Sequence, residues 1–272
     1  MSRVIRRDQD KIDLWSAPDA LVLKCLALVL SQRLPLSKRC FHINGSGGRK
    51  RGGKAAVGEV LRQLPHNRFV LKTDVQSYYA SIDHDLLLDR LAEFIQDPRV
   101  LNLIRQYLKR TVECGGLFWG FEKGIALGCS LSPVMGAFFL RSVDQELSKL
   151  GLFCVWFMDD IVVLAPTRWK LRAAVKALNR ALGALRLKKH PGKTFIGRIE
   201  KGFDFLGYHF SPRGLTLARQ TIENFLERAI QLYEQEPGED LLPVRLGSYV
   251  RRWERWTRAG LADFRRCCGS LP

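Results

Sequence analysis

Phe153-Cys-Val-Trp-Phe-Met-Asp-Asp-Ile-Val-Val-Leu-Ala165 is an apolar run interrupted only by two adjacent aspartates, Asp159 and Asp160. A run of this kind reads as two buried strands joined by a tight turn, with the acids at the bend. Two neighbouring carboxylates repel and raise each other's pKa. A divalent cation removes that penalty. A third carboxylate, Asp74, follows a second apolar run, Phe69-Val-Leu71, in Phe-Val-Leu-Lys-Thr-Asp-Val. Three such acids suggest a Mg²⁺ site with oxygen ligands, of the two-ion type that drives phosphoryl transfer.

The whole chain bounds the partner. Its 272 residues suffice for a substantial core, in one large domain or two or three subdomains. Net charge is +17 with a sequence pI near 9.9, which points to a polyanion, most often nucleic acid. A membrane surface is the rival, but the longest apolar stretch, Ala20 to Leu30, carries Lys24 and is too short to span a bilayer. Met1-Ser-Arg-Val-Ile-Arg-Arg has no apolar core behind it, so no signal peptide is expected. Seven cysteines lack zinc or Cys-x-x-Cys spacing, and Cys25 and Cys154 read as small core hydrophobes. A reducing, cytoplasmic location is expected.

Residues 16–33 predict a helix capped by Ser16, with Pro18 in its first turn. Asn44 to Lys54 interleaves five glycines with four bases and leads into a helix over 55–64. Such a loop can clamp phosphates or serve as a solvated basic linker. Further along, a strand over 69–75 precedes helices from Ile82 and over 99–110, then a hairpin between Val112 and Phe121. A Gly/Ser loop, Gly124 to Pro133, opens a long helix over 131–149. After the 153–165 hairpin, Thr167 caps an amphipathic helix bearing Leu171, Val175, Leu178, Leu182 and Leu185. Phe203 to Phe210 predicts a short strand pair. Antiparallel hairpins among helices indicate an α+β fold. Beyond about 215 the chain reads as helical, with seven arginines between Arg245 and Arg266. Arg251, Arg252 and Arg255 with Trp253 and Trp256 suit a nucleic-acid grip. The tryptophans equally suit a small helical core with arginines reaching outward.

Phe157-Met-Asp-Asp160, preceded by Gly128-x-x-x-Ser132-Pro133 and Asp74-Val-x-x-x-Tyr79, resembles the reverse transcriptases, above all the bacterial group II intron, retron and diversity-generating kinds. The resemblance runs from about residue 36 to 210, with five motifs in the family's order. It implies a right-hand polymerase fold, with fingers over 1–68, an antiparallel-sheet palm with an inserted finger segment over 69–210, and a short Arg-rich helical thumb over 211–272. It also implies an RNA template, a DNA or RNA primer, dNTPs and two Mg²⁺ ions, with Mn²⁺ as a substitute. A dedicated structured non-coding RNA is a further expected partner, and a membrane is not.

The resemblance assigns roles residue by residue. Asp74 and Asp159 would bind both ions, the carbonyl of Val75 would add a ligand, and Asp160 would assist or touch the primer end. Tyr79 would be the gate that crowds a ribose 2′-hydroxyl; packing is its other reading, and Tyr78 is its rival. Lys193 in His190-Pro-Gly-Lys-Thr194 would protonate departing pyrophosphate. Phe205, Leu206, Gly207 and Tyr208 resemble the primer grip, and Arg49, Arg51 and Lys54 would meet the triphosphate. One departure stands out: Leu127-Gly128 replaces the family's Gln-Gly, removing a polar contact to the incoming nucleotide. Ser132-Pro133 argues against the diversity-generating type. No zinc-finger or endonuclease pattern follows the thumb, so a polymerase-only element is expected, in a retroelement, domesticated or antiphage setting. The alternative is a maturase-like RNA-binding protein with little synthesis, which would not require all three aspartates.

Overall fold

The apolar runs become the strands of one sheet, and its two faces organise everything else. A computed structural model describes residues 2–5, 11–43, 52–234 and 242–267. It opens with two short strands, β1 (Ser2–Ile5) and β2 (Lys11–Leu14), which pair antiparallel. Helix α1 (Ala17–Arg33) follows, its Ser16 side chain accepting from the Asp19 N–H at 3.3 Å. Helix α2 (Gly53–Gln63) then leads to strand β3 (Phe69–Asp74), a single turn α3 (Tyr78–Ser81), and helices α4 (His84–Ala92) and α5 (Pro98–Leu108). Asp83 and Asp97 cap α4 and α5 through their side chains. Strands β4 (Val112–Cys114) and β5 (Leu117–Trp119) form a hairpin through Gly115 and Gly116, both at positive φ. This hairpin joins β1 and β2 in a four-stranded sheet of order β2-β1-β4-β5.

The expected helix over 131–149 is two helices, α6 (Ser132–Phe139) and α7 (Arg141–Ser148). The break lies at Leu140, at φ −78° and ψ 0°, where the N–H still reaches the Gly136 carbonyl. Strands β6 (Phe153–Phe157) and β7 (Asp160–Ala165) form the acidic hairpin. Thr167 caps helix α8 (Arg168–Ala184). Strands β8 (Phe195–Arg198), β9 (Phe203–Phe205), β10 (Tyr208–Ser211) and β11 (Gly214–Leu217) precede helices α9 (Arg219–Glu234) and α10 (Leu242–Cys267).

The central sheet has the order β6-β7-β3-β8, antiparallel throughout. Period-2 alternation divides its side chains between two cores. Leu71, Trp156, Ile161 and Val163 pack with α5, α6, α7 and α8 on one face. Val70, Val155, Val162 and Leu164 pack on the other with Ala56, Val57 and Val60 of α2 and with Phe203, Phe205 and Phe210 of the β9–β11 sheet. Burial on both faces explains why β6 and β7 are nearly all apolar. Each fully buried large side chain here contributes on the order of 1.5–3 kcal/mol. Any polar residue at the end of such a strand therefore has a reason to be there.

The expectation for Cys25 needs correction. Cys25 is exposed on α1, whereas Cys154 is buried: α1 contacts the core along one stripe, Leu23, Ala27 and Leu30, and Cys25 lies off it. Strands β1 and β2 carry no clear sequence signal, because Ser2-Arg-Val-Ile5 and Lys11-Ile-Asp-Leu14 are short and mix charged with apolar residues. Among the described residues, no helix is long and apolar enough to cross a membrane.

Candidate active site

Asp74 ends β3 and Asp160 begins β7, and the two are Cα partners across the antiparallel pair. Residue 159 lies in the two-residue turn Met158–Asp159 that closes β6 onto β7, with Met158 at φ 56°. The Val75 N–H donates to the Asp159 carbonyl at 3.1 Å, fastening this turn against the end of β3. Two carboxylates more than eighty positions apart in sequence thus share one strand end. Asp74 is buried, and Asp159 and Asp160 are half-buried.

The surrounding charges are unequally distributed. Lys193 Nζ donates to Asp74 Oδ2 at 3.1 Å, and Lys72 Nζ pairs with Asp160 Oδ1 at 3.0 Å. Asp159 has neither partner. Burial first, then the neighbouring Asp74 and Asp160, push its carboxyl up to about 6, with Lys193 opposing. The hydrogen bond to Asp74 raises Lys193, which stays protonated. A crowded carboxylate with a raised pKa is an environment whose strain a divalent cation would relieve.

The donor set fits a hard divalent cation on particular terms. No group of three His, Cys, Asp or Glu closes into a full cage among the described residues. Asp74 and Asp159 supply two carboxylates, and Asp160 is turned to Lys72. The Asp74 carbonyl accepts from the His190 N–H at 2.8 Å, and Lys188 accepts from Gln76 at 2.9 Å. Val75 lies between these two bonds, so its own N–H and carbonyl face away from residues 188–190. Two carboxylates and a carbonyl leave coordination positions for water and phosphate oxygens, the arrangement Mg²⁺ favours.

Tyr78 and Tyr79 separate cleanly. The buried Tyr78 hydroxyl donates to the Gly136 carbonyl of α6, so it belongs to the core. Tyr79 lies against Gly136, where a Cβ would come within 3.1 Å of its ring, and its hydroxyl has no hydrogen-bond partner among the described residues. Burial and the Asp159 charge both hold that hydroxyl protonated. A cleft of about 420 Å³ is lined by Tyr79, Leu127, Lys123, Phe121, Arg110 and Asp13.

The Leu127-Gly128 loop is pinned from three sides. Asp13 N–H donates to the Leu127 carbonyl at 3.1 Å, and Gly128, at φ 85°, admits Ile12 where a Cβ would come within 2.5 Å. The Ser132 hydroxyl donates to the Ala126 carbonyl and meets Tyr107 Oη at 2.6 Å. Below the loop, the buried Arg110 guanidinium bonds Asp13 at 2.6 Å and stacks over Phe121 at 4.3 Å. The Ser-Pro motif therefore holds this loop in shape beside Tyr79.

Other expected residues lie elsewhere. Arg49 and Arg51 fall outside the described residues. Lys54 Nζ donates to the Trp256 carbonyl at 3.1 Å, joining α2 to α10. The Phe205–Tyr208 hairpin turns through Leu206 and Gly207, both at positive φ. Its tip is held by Thr221 Oγ1 donating to the Gly207 carbonyl at 2.9 Å. Tyr208 packs on Trp256 with ring centroids 5.3 Å apart, and Trp253 stacks on Phe225 at 4.0 Å. Both tryptophans thus follow the packing reading, whereas Arg251, Arg252 and Arg255 remain exposed. Two site residues escaped the sequence reading. Lys72 is two positions before Asp74 and so shares its face by strand period, a usable signal. His42, which bonds the acidic turn, carries none.

Comparison with known proteins bears on the family and the fold. Residues 21–210 match a family described as reverse transcriptase (RNA-dependent DNA polymerase). Protein YkfC of Escherichia coli strain K12 is 23% identical, over 70% of this chain and 60% of YkfC. An apo telomerase from Candida tropicalis, truncated from its C-terminal domain, superposes with a TM-score of 0.56 at 12% identity, over 74% of this chain and 45% of that one. Telomerase from Candida albicans, in complex with a fragment of telomeric RNA, gives 0.53 at 12% identity, over 91% and 47%. The mixed helix and antiparallel-sheet fold is shared with these structures. This chain spans 60% of YkfC's length and under half of either telomerase.

Proposed function

This chain belongs to the reverse transcriptase (RNA-dependent DNA polymerase) family, and on that footing we propose that it extends a primer 3′-hydroxyl with dNTPs on an RNA template. The observation that carries the reading is the convergence of Asp74 and Asp159 at one strand end, with Asp159 crowded and unneutralised. Two bound Mg²⁺ ions would supply charge stabilisation at the attacking and leaving oxygens. Asp74, Asp159 and the Val75 carbonyl are the groups we assign to hold them. Asp160, paired with Lys72, anchors the start of β7 and assists the two ligands electrostatically.

The chain's own residues do the rest. Tyr79 closes one side of the cleft and crowds a ribose 2′-hydroxyl, and Leu127 offers that nucleotide an apolar rather than a polar wall. Lys193 keeps its proton beside Asp74 and gives it to departing pyrophosphate. We further infer fingers over 1–68, palm over 69–210 and thumb over 211–272. The exposed arginines of α10 then face the nucleic-acid backbone. A bacterial retroelement, or a domesticated or defence derivative of one, is the setting this resemblance supports.

Primer extension on an RNA template with Mg²⁺ and dNTPs tests the reading. Extension that disappears in Asp159→Ala supports it. RNA binding with no extension under any divalent cation would replace it with an RNA-binding role.

A further inference from the structure

The turn that carries Asp159 is held by a segment 116 positions earlier in the chain. Residues 39–42 run beside β6: the Trp156 N–H donates to the Arg39 carbonyl at 3.1 Å, and the Phe41 N–H to the Trp156 carbonyl at 2.9 Å. This pairing delivers His42 to the hairpin tip, where its ring meets Phe157 edge-on at 6.0 Å. His42 Nδ1 lies 2.9 Å from the Met158 N–H, and Nε2 lies 3.2 Å from the Pro133 carbonyl. An amide N–H can only donate and a carbonyl can only accept. One neutral tautomer, with the proton on Nε2, satisfies both. Burial lowers the His42 pKa and favours that neutral form. Cys40 Sγ also approaches Nδ1, at 3.3 Å.

We propose that His42 is a positioning residue for Asp159, a two-ended brace between the Ser-Pro motif and the acidic turn. Met158 occupies a left-handed conformation that a side-chain-bearing residue adopts only when its surroundings impose it. His42 grips the N–H on one side of the turn, while Val75 grips the Asp159 carbonyl on the other. Between them they set the height and direction of the Asp159 carboxylate relative to Asp74. The inference rests on the reading of Asp159 as a metal ligand.

The test compares three variants in primer extension with Mg²⁺, separating kcat from the KM for dNTP. His42→Phe keeps an aromatic ring without either bond. His42→Asn retains an acceptor on Cγ, where Nδ1 stood, and His42→Gln reaches Pro133 without facing Met158. A carboxylate displaced by a fraction of an ångström is expected to lower kcat about 10- to 100-fold in His42→Phe, with KM within about twofold. His42→Asn, which keeps the acceptor for Met158 but not the bond to Pro133, is expected to recover part of that loss, and His42→Gln none. A merely structural histidine would make Asn and Gln alike, and that result overturns the proposal even if His42→Phe fails to fold. Wild-type kcat in His42→Phe overturns it as well. If Asp159→Ala keeps the wild-type rate, the reading of the site fails first and the brace with it; if Asp159→Ala is dead while His42→Phe is fully active, only the brace fails.

Discussion

Asp159→Asn is expected to stabilise the metal-free protein while destroying its activity. Asp159 is raised from 3.8 to about 6 by burial and by Asp74 and Asp160. A shift of about two units corresponds to ~3 kcal/mol of penalty on the ionised form. Because the group is partly exposed, solvent screening reduces this to ~1–2 kcal/mol. Its sign follows from the shift. A carboxyl raised in the folded state is disfavoured once ionised, so the penalty is absent only well below pH 3.8, where both states are protonated. It builds between about 3.8 and 6, where the unfolded chain ionises and the folded one does not, and is full above about 6. Asparagine removes the charge and so removes the penalty. In a chain of this size the gain amounts to a Tm increase of about 3–6 °C at pH 7.5 and only about a fifth of that at pH 4. Thermal unfolding in EDTA at the two pH values measures it. Saturating Mg²⁺ should narrow the gap by stabilising the wild type alone. Equal melting at pH 7.5, or the same gain at both pH values, would refute the account of a charge-crowded cation site.

Tyr79→Ala removes the ring beside Gly136, and the ratio of kcat/KM for dNTP over rNTP is expected to fall by at least about tenfold; an unchanged ratio assigns Tyr79 to packing alone. Lys193→Met should lower kcat by about 10² with little change in dNTP KM, as expected for loss of a general acid, measured in single-turnover extension. Trp256→Ala removes the ring that packs on Tyr208. It should cost about 2 kcal/mol in denaturant unfolding, below the loss for a fully buried Trp because this one is half-buried.

What the sequence made legible follows from burial. Strands covered on both faces must be almost wholly apolar, so Asp74, Asp159 and Asp160 stood out as carboxylates with a purpose, and the antiparallel hairpin was plain. Ser16 and Thr167 announced their helices because capping is a local interaction. Long-range contacts left weaker traces. The pairing of β1 and β2 depends on β4 and on the Leu127-Gly128 loop, and nothing in those charged strands foretells it. Lys72 was visible in principle through its strand parity with Asp74. His42 was not, since a single histidine before a glycine-rich loop has many uses. Cys25 looked apolar by context, yet α1 buries only one stripe of an evenly hydrophobic helix. The tryptophans of α10 admitted two readings until Phe225 and Tyr208 were placed against them.

The central claim is that Asp74 and Asp159, brought together from distant strands, act as one metal-holding unit. RNA-templated primer extension in Mg²⁺ by Asp74→Asn, Asp159→Asn and the double variant measures it most directly. Residues that work as a unit are non-additive, so each single substitution should lower kcat by at least about 10³ and the double variant no further. A single variant retaining more than about a tenth of the wild-type rate, or losses that multiply in the double variant, would contradict the account.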